Sequence, residues 1–327
     1  MRAWRVHENG EPEQVLRLEE VEEPSRATGE VLIGVEAASL NFLDVLLCRG
    51  GYQERPDPPF VPGAEAAGRV LEADPESGLE PGERVVALTR PRGAFAERIA
   101  VPAGQVFRVP GGMPPEKAAA LPIVYQTAHF ALHRRAGLRQ GETVLVHAGA
   151  GGVGSAAIQV ARAAGARVLA SAGSERKREL CRSLGAELAI DYRRQDIVEV
   201  VREATGGRGA DVVFDPVGGD VFDASRRCVA FEGRLLVIGF AGGRIAEAPT
   251  NHVLLKNYSV VGVHWGLYQS VMPELVRKVH GELLRLYEAG RIDPLIGEVV
   301  PFEELPSALA RLGAGKTVGK VVARVAA

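Results

Sequence analysis

Apolar positions along this chain change rhythm near residue 123. Before it, short β-like runs (Val31–Ala37, Gly68–Ala73, Arg84–Leu88, Phe95–Val101) are separated by turns such as Pro81-Gly82-Glu83 and Pro110-Gly111-Gly112. Many short strands punctuated by Gly and Pro predict a β-rich, barrel-like domain. A helix predicted over Ala118–Leu132 then opens a regular alternation. Strands are expected at Thr143–His147, Arg167–Ala172, Leu188–Asp191, Ala210–Asp215, Arg234–Gly239 and Tyr258–His264. Helices are expected between them at Val153–Ala164, Lys177–Leu184, Ile197–Ala204 and Val221–Ala230. Strands alternating with helices of these lengths imply an α/β fold with a doubly wound, mostly parallel sheet. An amphipathic helix over Met272–Ala289, closed by Gly290, and a β-like run at Val318–Val325 follow. That tail is expected to rejoin the first domain. The division is then 1–122 with 267–327, interrupted by 123–266.

The stretch Thr143–Ser174 carries the first chemistry. Gly149, Gly151 and Gly154 have G-x-G-x-x-G spacing, and they fall between a β-branched run and a helical one. With 39 glycines in 327 residues the spacing alone is weak; at the first strand-to-helix turn of a βαβ unit it is the dinucleotide-binding fingerprint. The first glycine is expected to permit the turn, the second to admit a pyrophosphate, and the third to let helix pack on strand. The unpaired N–H groups and dipole of the helix start favour phosphate there. An NAD site usually places Asp or Glu after the second strand. Here that place holds Ala172-Gly173-Ser174, with Lys177 one turn on, which suits a 2′-phosphate. Ser174 could equally cap the next helix, and Glu175 could reach a ribose.

Composition narrows the partners. Net charge is −2 without a basic run, which argues against nucleic acid or anionic membrane. No apolar stretch reaches about 18 residues, and MRAWRVHENG is no signal peptide. Cys48, Cys181 and Cys228 are far apart and suit a reducing compartment, so a cytoplasmic location is expected. Ala310–Thr317 (ARLGAGKT) comes close to a phosphate-loop box. It starts on Ala and follows a helix where a strand is required, so no ATP site is expected. His129 and His133 stand four apart without the Glu that a metalloprotease helix needs.

Several segments together resemble the zinc-independent medium-chain dehydrogenase/reductases, in particular the NADPH:quinone oxidoreductase (zeta-crystallin-like) family. They are Ser39-Leu-Asn-Phe-Leu-Asp44, Gly50-Gly-Tyr52, Val61–Gly68, Gly82–Val86, Ala148–Gly154, Asp215-Pro-Val-Gly218 and Gly239-Phe240. The resemblance implies a GroES-like catalytic domain interrupted by a Rossmann domain, with the active site in the cleft between them. It implies NADPH, with NADH less favoured, held by Thr127, Gly149, Gly151, Gly152, Val153, Gly154, Gly173, Ser174, Lys177, Tyr192, Val217, Gly239, Phe240, Ala241, His264, Trp265 and Lys316. It also implies no zinc. Zinc-dependent relatives have Cys at the place of Asn41 and His at that of Ala64, and this chain has no cysteine between Cys48 and Cys181.

Hydride transfer to a quinone or activated enone needs an acceptor held about 3–3.5 Å from the nicotinamide and donors facing the developing oxyanion. Asn41, Asp44 and Tyr52 are the polar residues expected around the acceptor. Asn41 and Asp44 also read as a helix cap with an acidic third residue, and Tyr52 could simply pack. The same residues resemble metal-free enoyl-thioester reductases, in which a Tyr at this place donates the proton. A non-catalytic NADPH-binding role, crystallin-like or sensory, is a third expectation. The run Tyr258–His264, last in the nucleotide domain, would pair across a two-fold axis in a homodimer.

Overall fold

The computed structural model describes residues 1–89 and 93–325; residues 90–92 and 326–327, which fall in stretches expected in the first domain, lie outside them. The chain forms two compact units. One comprises Met1–Ile123, Gln269–His280 and Pro294–Ala327, the other Val124–Tyr268 and Gly281–Asp293. The tail is thus divided. Residues 281–293 group with the second unit because the Asp293 backbone is tied there: its carbonyl accepts from Tyr125 Oη (2.9 Å) and Gln159 Nε2 (3.0 Å), and its N–H donates to Gln159 Oε1 (2.7 Å).

The first unit holds β1 (Arg2–Val6), β2 (Leu16–Glu20), β3 (Glu30–Leu40), β4 (Glu65–Ala73), β5 (Arg84–Leu88), β6 (Arg98–Pro102), β7 (Val106–Arg108), β14 (Ile296–Pro301) and β15 (Lys320–Arg324). β1 and β2 form an antiparallel hairpin. The others make one sheet in the order β14-β15-β3-β4-β5-β7, with β6 also on β3. Only the β14–β15 pair is parallel. Along β3, Val31, Ile33 and Val35 alternate inward with half-exposed neighbours, the period-two pattern of a strand with one buried face. They pack with Phe95, Ile99, Val321 and Phe302 in the core of this unit.

The second unit holds β8 (Thr143–Val146), β9 (Arg167–Ala172), β10 (Leu188–Asp191), β11 (Ala210–Asp215), β12 (Val229–Val237) and β13 (Ser259–Gly262), all parallel, in the order β10-β9-β8-β11-β12-β13. This is the doubly wound order, reversing between β8 and β11. Every residue of β8 is buried, because helices cover both faces of such a sheet.

Two predicted helices differ. The helix expected over Ala118–Leu132 breaks into Pro115–Ala119, Pro122–His129 and a π-helical turn, Phe130–Arg135. Pro122 lacks an N–H and blocks a continuous helix, so it opens the second piece instead. The helix expected over Val221–Ala230 runs Gly219–Cys228, and Val229 already belongs to β12.

Candidate active site

The glycine turn lies at the C-terminal end of β8, at the strand-order reversal. Helix Gly152–Ala163 starts directly after Gly151. The residue of this turn in the left-handed region is Ala148 (φ 49°). Gly149 is needed for close approach, since a Cβ there would lie 2.9 Å from Cys181 Sγ. A Cβ on Gly154 would lie 2.2 Å from the Ala148 carbonyl oxygen, so only glycine lets the helix start this close to the turn. The N–H groups of Gly152, Val153 and Gly154, in the first turn, have no earlier intrahelical carbonyl to reach. Beneath them His147 is fully buried between Ser171 Oγ (2.9 Å from Nδ1) and Ser225 Oγ (2.8 Å from Nε2). Ser225 spends its proton on the Val221 carbonyl (2.7 Å), so His147 donates from Nε2 and accepts at Nδ1. Burial pushes this imidazole down to about 4, and it stays neutral.

After β9, Gly173 faces Tyr192, which follows β10; a Cβ on Gly173 would lie 2.7 Å from the Tyr192 hydroxyl. Ser174 caps helix Glu175–Leu184, its side chain accepting from the Lys177 N–H at 3.4 Å. Burial, then the Arg193 charge, lowers the Lys177 ammonium below its usual value. Glu175 is committed to Arg178 and Arg182. Gly173, Ser174, Glu175, Arg178, Asp191, Arg193 and Arg194 line a pocket of about 360 Å³. Sequence reading missed Arg193 and Arg194, although two arginines directly after Tyr192 were the available signal.

At the end of β11 the Asp215 carboxylate accepts from the N–H groups of Val217 (2.8 Å) and Gly218 (3.0 Å). The following loop is held against this turn: Ala241 N–H donates to Pro216 O (3.1 Å) and Gly242 N–H to Val217 O (2.9 Å). Gly239 and Phe240 sit in that loop, with the Phe240 ring exposed. His264 is exposed and Thr127 half-buried. Trp265 is buried, donates Nε1–H to Gln126 Oε1 (3.0 Å) and packs on Phe130, so its side chain serves the core. Lys316 belongs to the first unit, exposed in the loop after helix Leu305–Gly313.

In the first unit Asn41, Asp44 and two unpredicted residues, Glu65 and Lys320, form one buried cluster. Asn41 follows β3 and caps helix Phe42–Cys48, its N–H donating to Asp44 Oδ2 (2.8 Å). Lys320, opening β15, donates to Asn41 Oδ1 (2.6 Å), Leu40 O (2.9 Å) and Glu65 Oε1 (3.0 Å). Asn41 Nδ2 donates to Glu65 Oε1 (2.9 Å) and Ser39 O (3.3 Å), and Glu65 Oε2 accepts from the Ile123 N–H (2.7 Å). Burial lifts Asp44 to about 8, against the Asn41 N–H and the Lys320 charge. The signal for Lys320 was a lysine opening an otherwise apolar strand. Tyr52 is half-buried in the segment after helix Phe42–Cys48, its ring on the core of the unit.

Residues 27–111 match the alcohol dehydrogenase GroES-like domain, and residues 152–281 match the zinc-binding dehydrogenase domain. Quinone oxidoreductase-like protein 2 of Bos taurus is 40% identical over 323 residues, covering 98% of this chain and 92% of its own length. The quinone oxidoreductase of Thermus thermophilus, solved alone and with NADPH, is 39% identical, with TM-score 0.86 over 99% of this chain and 100% of the other. The Escherichia coli quinone oxidoreductase complexed with NADPH is 27% identical, with TM-score 0.91 over 99% and 100% of the two chains.

A catalytic zinc does not fit the residues present. Asn41 and Ala64 are not donors of the required kind, and the cluster already holds the Lys320 ammonium, which would repel a second cation. Among the described residues no group of three His, Cys, Asp or Glu side chains could hold a metal. His129 instead faces Glu282 (3.3 Å) and stacks near His133. No helix of the described residues is long and apolar enough to cross a membrane.

Proposed function

We propose, from the premise that this chain belongs to the quinone oxidoreductase (zeta-crystallin-like) family of medium-chain dehydrogenase/reductases, that it transfers hydride from NADPH to a quinone or similar activated enone without a metal. The observation that carries the reading is the phosphate-accepting turn at Ala148–Gly154, followed at the ends of β9 and β10 by hydroxyl and cationic side chains. Residues 151–154 would hold the pyrophosphate. Ser174, Lys177, Tyr192 and Arg193 would hold a 2′-phosphate, and Glu175, tied to two arginines, is not available to a ribose hydroxyl pair. Thr127, the backbone of 239–241 and that of 264–265 would place the nicotinamide, which supplies the hydride when bound; Lys316 remains a cofactor residue by resemblance alone. The domain division 1–122 with 267–327 around 123–266 is part of the same proposal, adjusted by the grouping of residues 281–293 with the second unit.

Tyr52 is the donor in this reading, its hydroxyl facing the oxyanion that forms on the acceptor. Asn41 and Asp44 frame it. Every polar atom of the Asn41 side chain is engaged by Lys320, Glu65 and Ser39, so it contributes by fixing the start of helix Phe42–Cys48.

NADPH oxidation with benzoquinones, naphthoquinones and crotonyl-CoA, in wild type and Tyr52→Phe, tests the proposal. Quinone turnover that falls about tenfold or more in Tyr52→Phe, with NADPH affinity unchanged, supports it. Turnover of the enoyl thioester alone, abolished in Tyr52→Phe, replaces it with an enoyl-thioester reductase. NADPH binding without turnover of any acceptor replaces it with a sensory or crystallin-like role.

A further inference from the structure

The second unit carries a second cavity, at the opposite end of the parallel sheet from the glycine turn. It measures about 280 Å³ and is lined by Arg202, Arg208, Arg227, Lys256, Phe231 and the backbone around Gly209. Gly209 directly precedes β11, whose other end is Asp215. Six residues at about 3.3 Å each separate this cavity from the dinucleotide turn by roughly 20 Å.

The lining holds four cationic side chains and no carboxylate. Two of the four have an internal use. Lys256 Nζ donates to the carbonyls of Arg226 (3.3 Å), Arg227 (3.2 Å) and Val229 (3.1 Å), and Arg202 Nη2 donates to Arg227 O (3.0 Å). They close the C-terminal end of helix Gly219–Cys228, where the dipole favours cations. That use leaves Arg208 and Arg227, both exposed, with no ion pair or side-chain hydrogen bond among the described residues. The crowding is felt: burial and then the Arg202 charge lower Lys256 below its usual value. The Phe231 ring, 68% exposed, stands at the same cavity and offers an apolar face.

Four like charges around one small cavity repel one another unless an anion enters, and guanidinium pairs match phosphate oxygens in geometry. We infer that this cavity is a second anion site that takes the phosphoanhydride group of a small molecule, independently of the dinucleotide site. Arg208 and Arg227 are the free arms of the clamp, Arg202 and Lys256 its fixed base, and Phe231 the face available to a planar ring attached to the phosphates.

Isothermal titration with pyrophosphate, on the full chain saturated with NADPH at low ionic strength, tests it. One pyrophosphate per chain is expected, weakened at least tenfold in Arg208→Ala/Arg227→Ala and several-fold in Arg208→Gln, with NADPH affinity unchanged in both. Affinity is also expected to fall as salt rises. ADP in place of pyrophosphate separates the sources. Tighter binding of ADP, lost in Phe231→Ala, identifies a nucleotide; equal binding identifies the phosphate chain alone. No heat, displacement of NADPH, or the same affinity in both arginine variants overturns the site.

Discussion

Lys320 ties a buried charge into the core of the first unit. Its ammonium is buried and satisfied by three oxygens, one of them on a fully buried Glu65. Removing one partner of such a pair costs about 3–5 kcal/mol, because the other charge is stranded, whereas neutralising both is far milder. Lys320→Met is therefore expected to lower the urea midpoint severely, and Lys320→Met/Glu65→Gln to recover most of the loss. If the double variant is no better than the single one, the pair is not what holds this region. Residue-scale chemistry was also where sequence reading was thinnest. Asn41 and Asp44 were singled out as polar residues expected around the acceptor, with a helix cap as the alternative reading. Lys320 and Glu65 were not, since nothing in a linear pattern pairs residues 255 positions apart. The same limit hid Ser171 and Ser225, whose shared contact with His147 arises from strand order.

Elements were more legible than contacts, for a physical reason. In the second unit the inner strands β8, β9 and β11 are buried on both faces, so runs such as Arg167–Ala172 and Ala210–Asp215 coincide with β9 and β11. The hairpin β1–β2 and strand β14 had no such signature, because their polar residues face outward and break the apolar run. Pro122 was the one strong punctuator overlooked. β13 carries a prediction at this scale. Among the described residues it pairs only with β12, leaving its other edge open, and Val260 on it and Leu254 and Leu255 just before it are exposed. An open apolar edge favours strand pairing with a second copy, which a lysine on the edge discourages. Light scattering is expected to show a dimer for wild type and a mass near half that for Val260→Lys. A monomeric wild type at micromolar concentration removes this proposal.

At the scale of the whole molecule, three buried groups set opposing pH dependences. His147 and His280, the latter stacked on Phe107, are both pushed down to about 4 by burial. Their unfolded forms bind protons that the folded forms refuse, so stability falls as pH drops from about 6.5 toward 4. Asp44, lifted to about 8, has the reverse sign. The folded form keeps a proton that the unfolded form has lost, so stability falls as pH rises from about 4 through 8. Two histidines outweigh one aspartate below pH 6.5, and Asp44 acts alone above it. Thermal unfolding is therefore expected to peak near pH 6.5. Asp44→Asn should flatten the alkaline side and His280→Phe the acid side; an unchanged profile in both variants refutes the assignment.

The place of Lys320 in the chain bears on how the protein is made. A ribosome releases Glu65 long before the lysine that neutralises it. During most of translation the β3–β4 pair carries a carboxylate with no counter-charge, which keeps that region hydrated and delays its final collapse. β15 thus acts as a late keystone: nascent chains halted short of residue 320 should remain open to proteases in the first unit while the six-stranded sheet, complete by residue 262, already resists them.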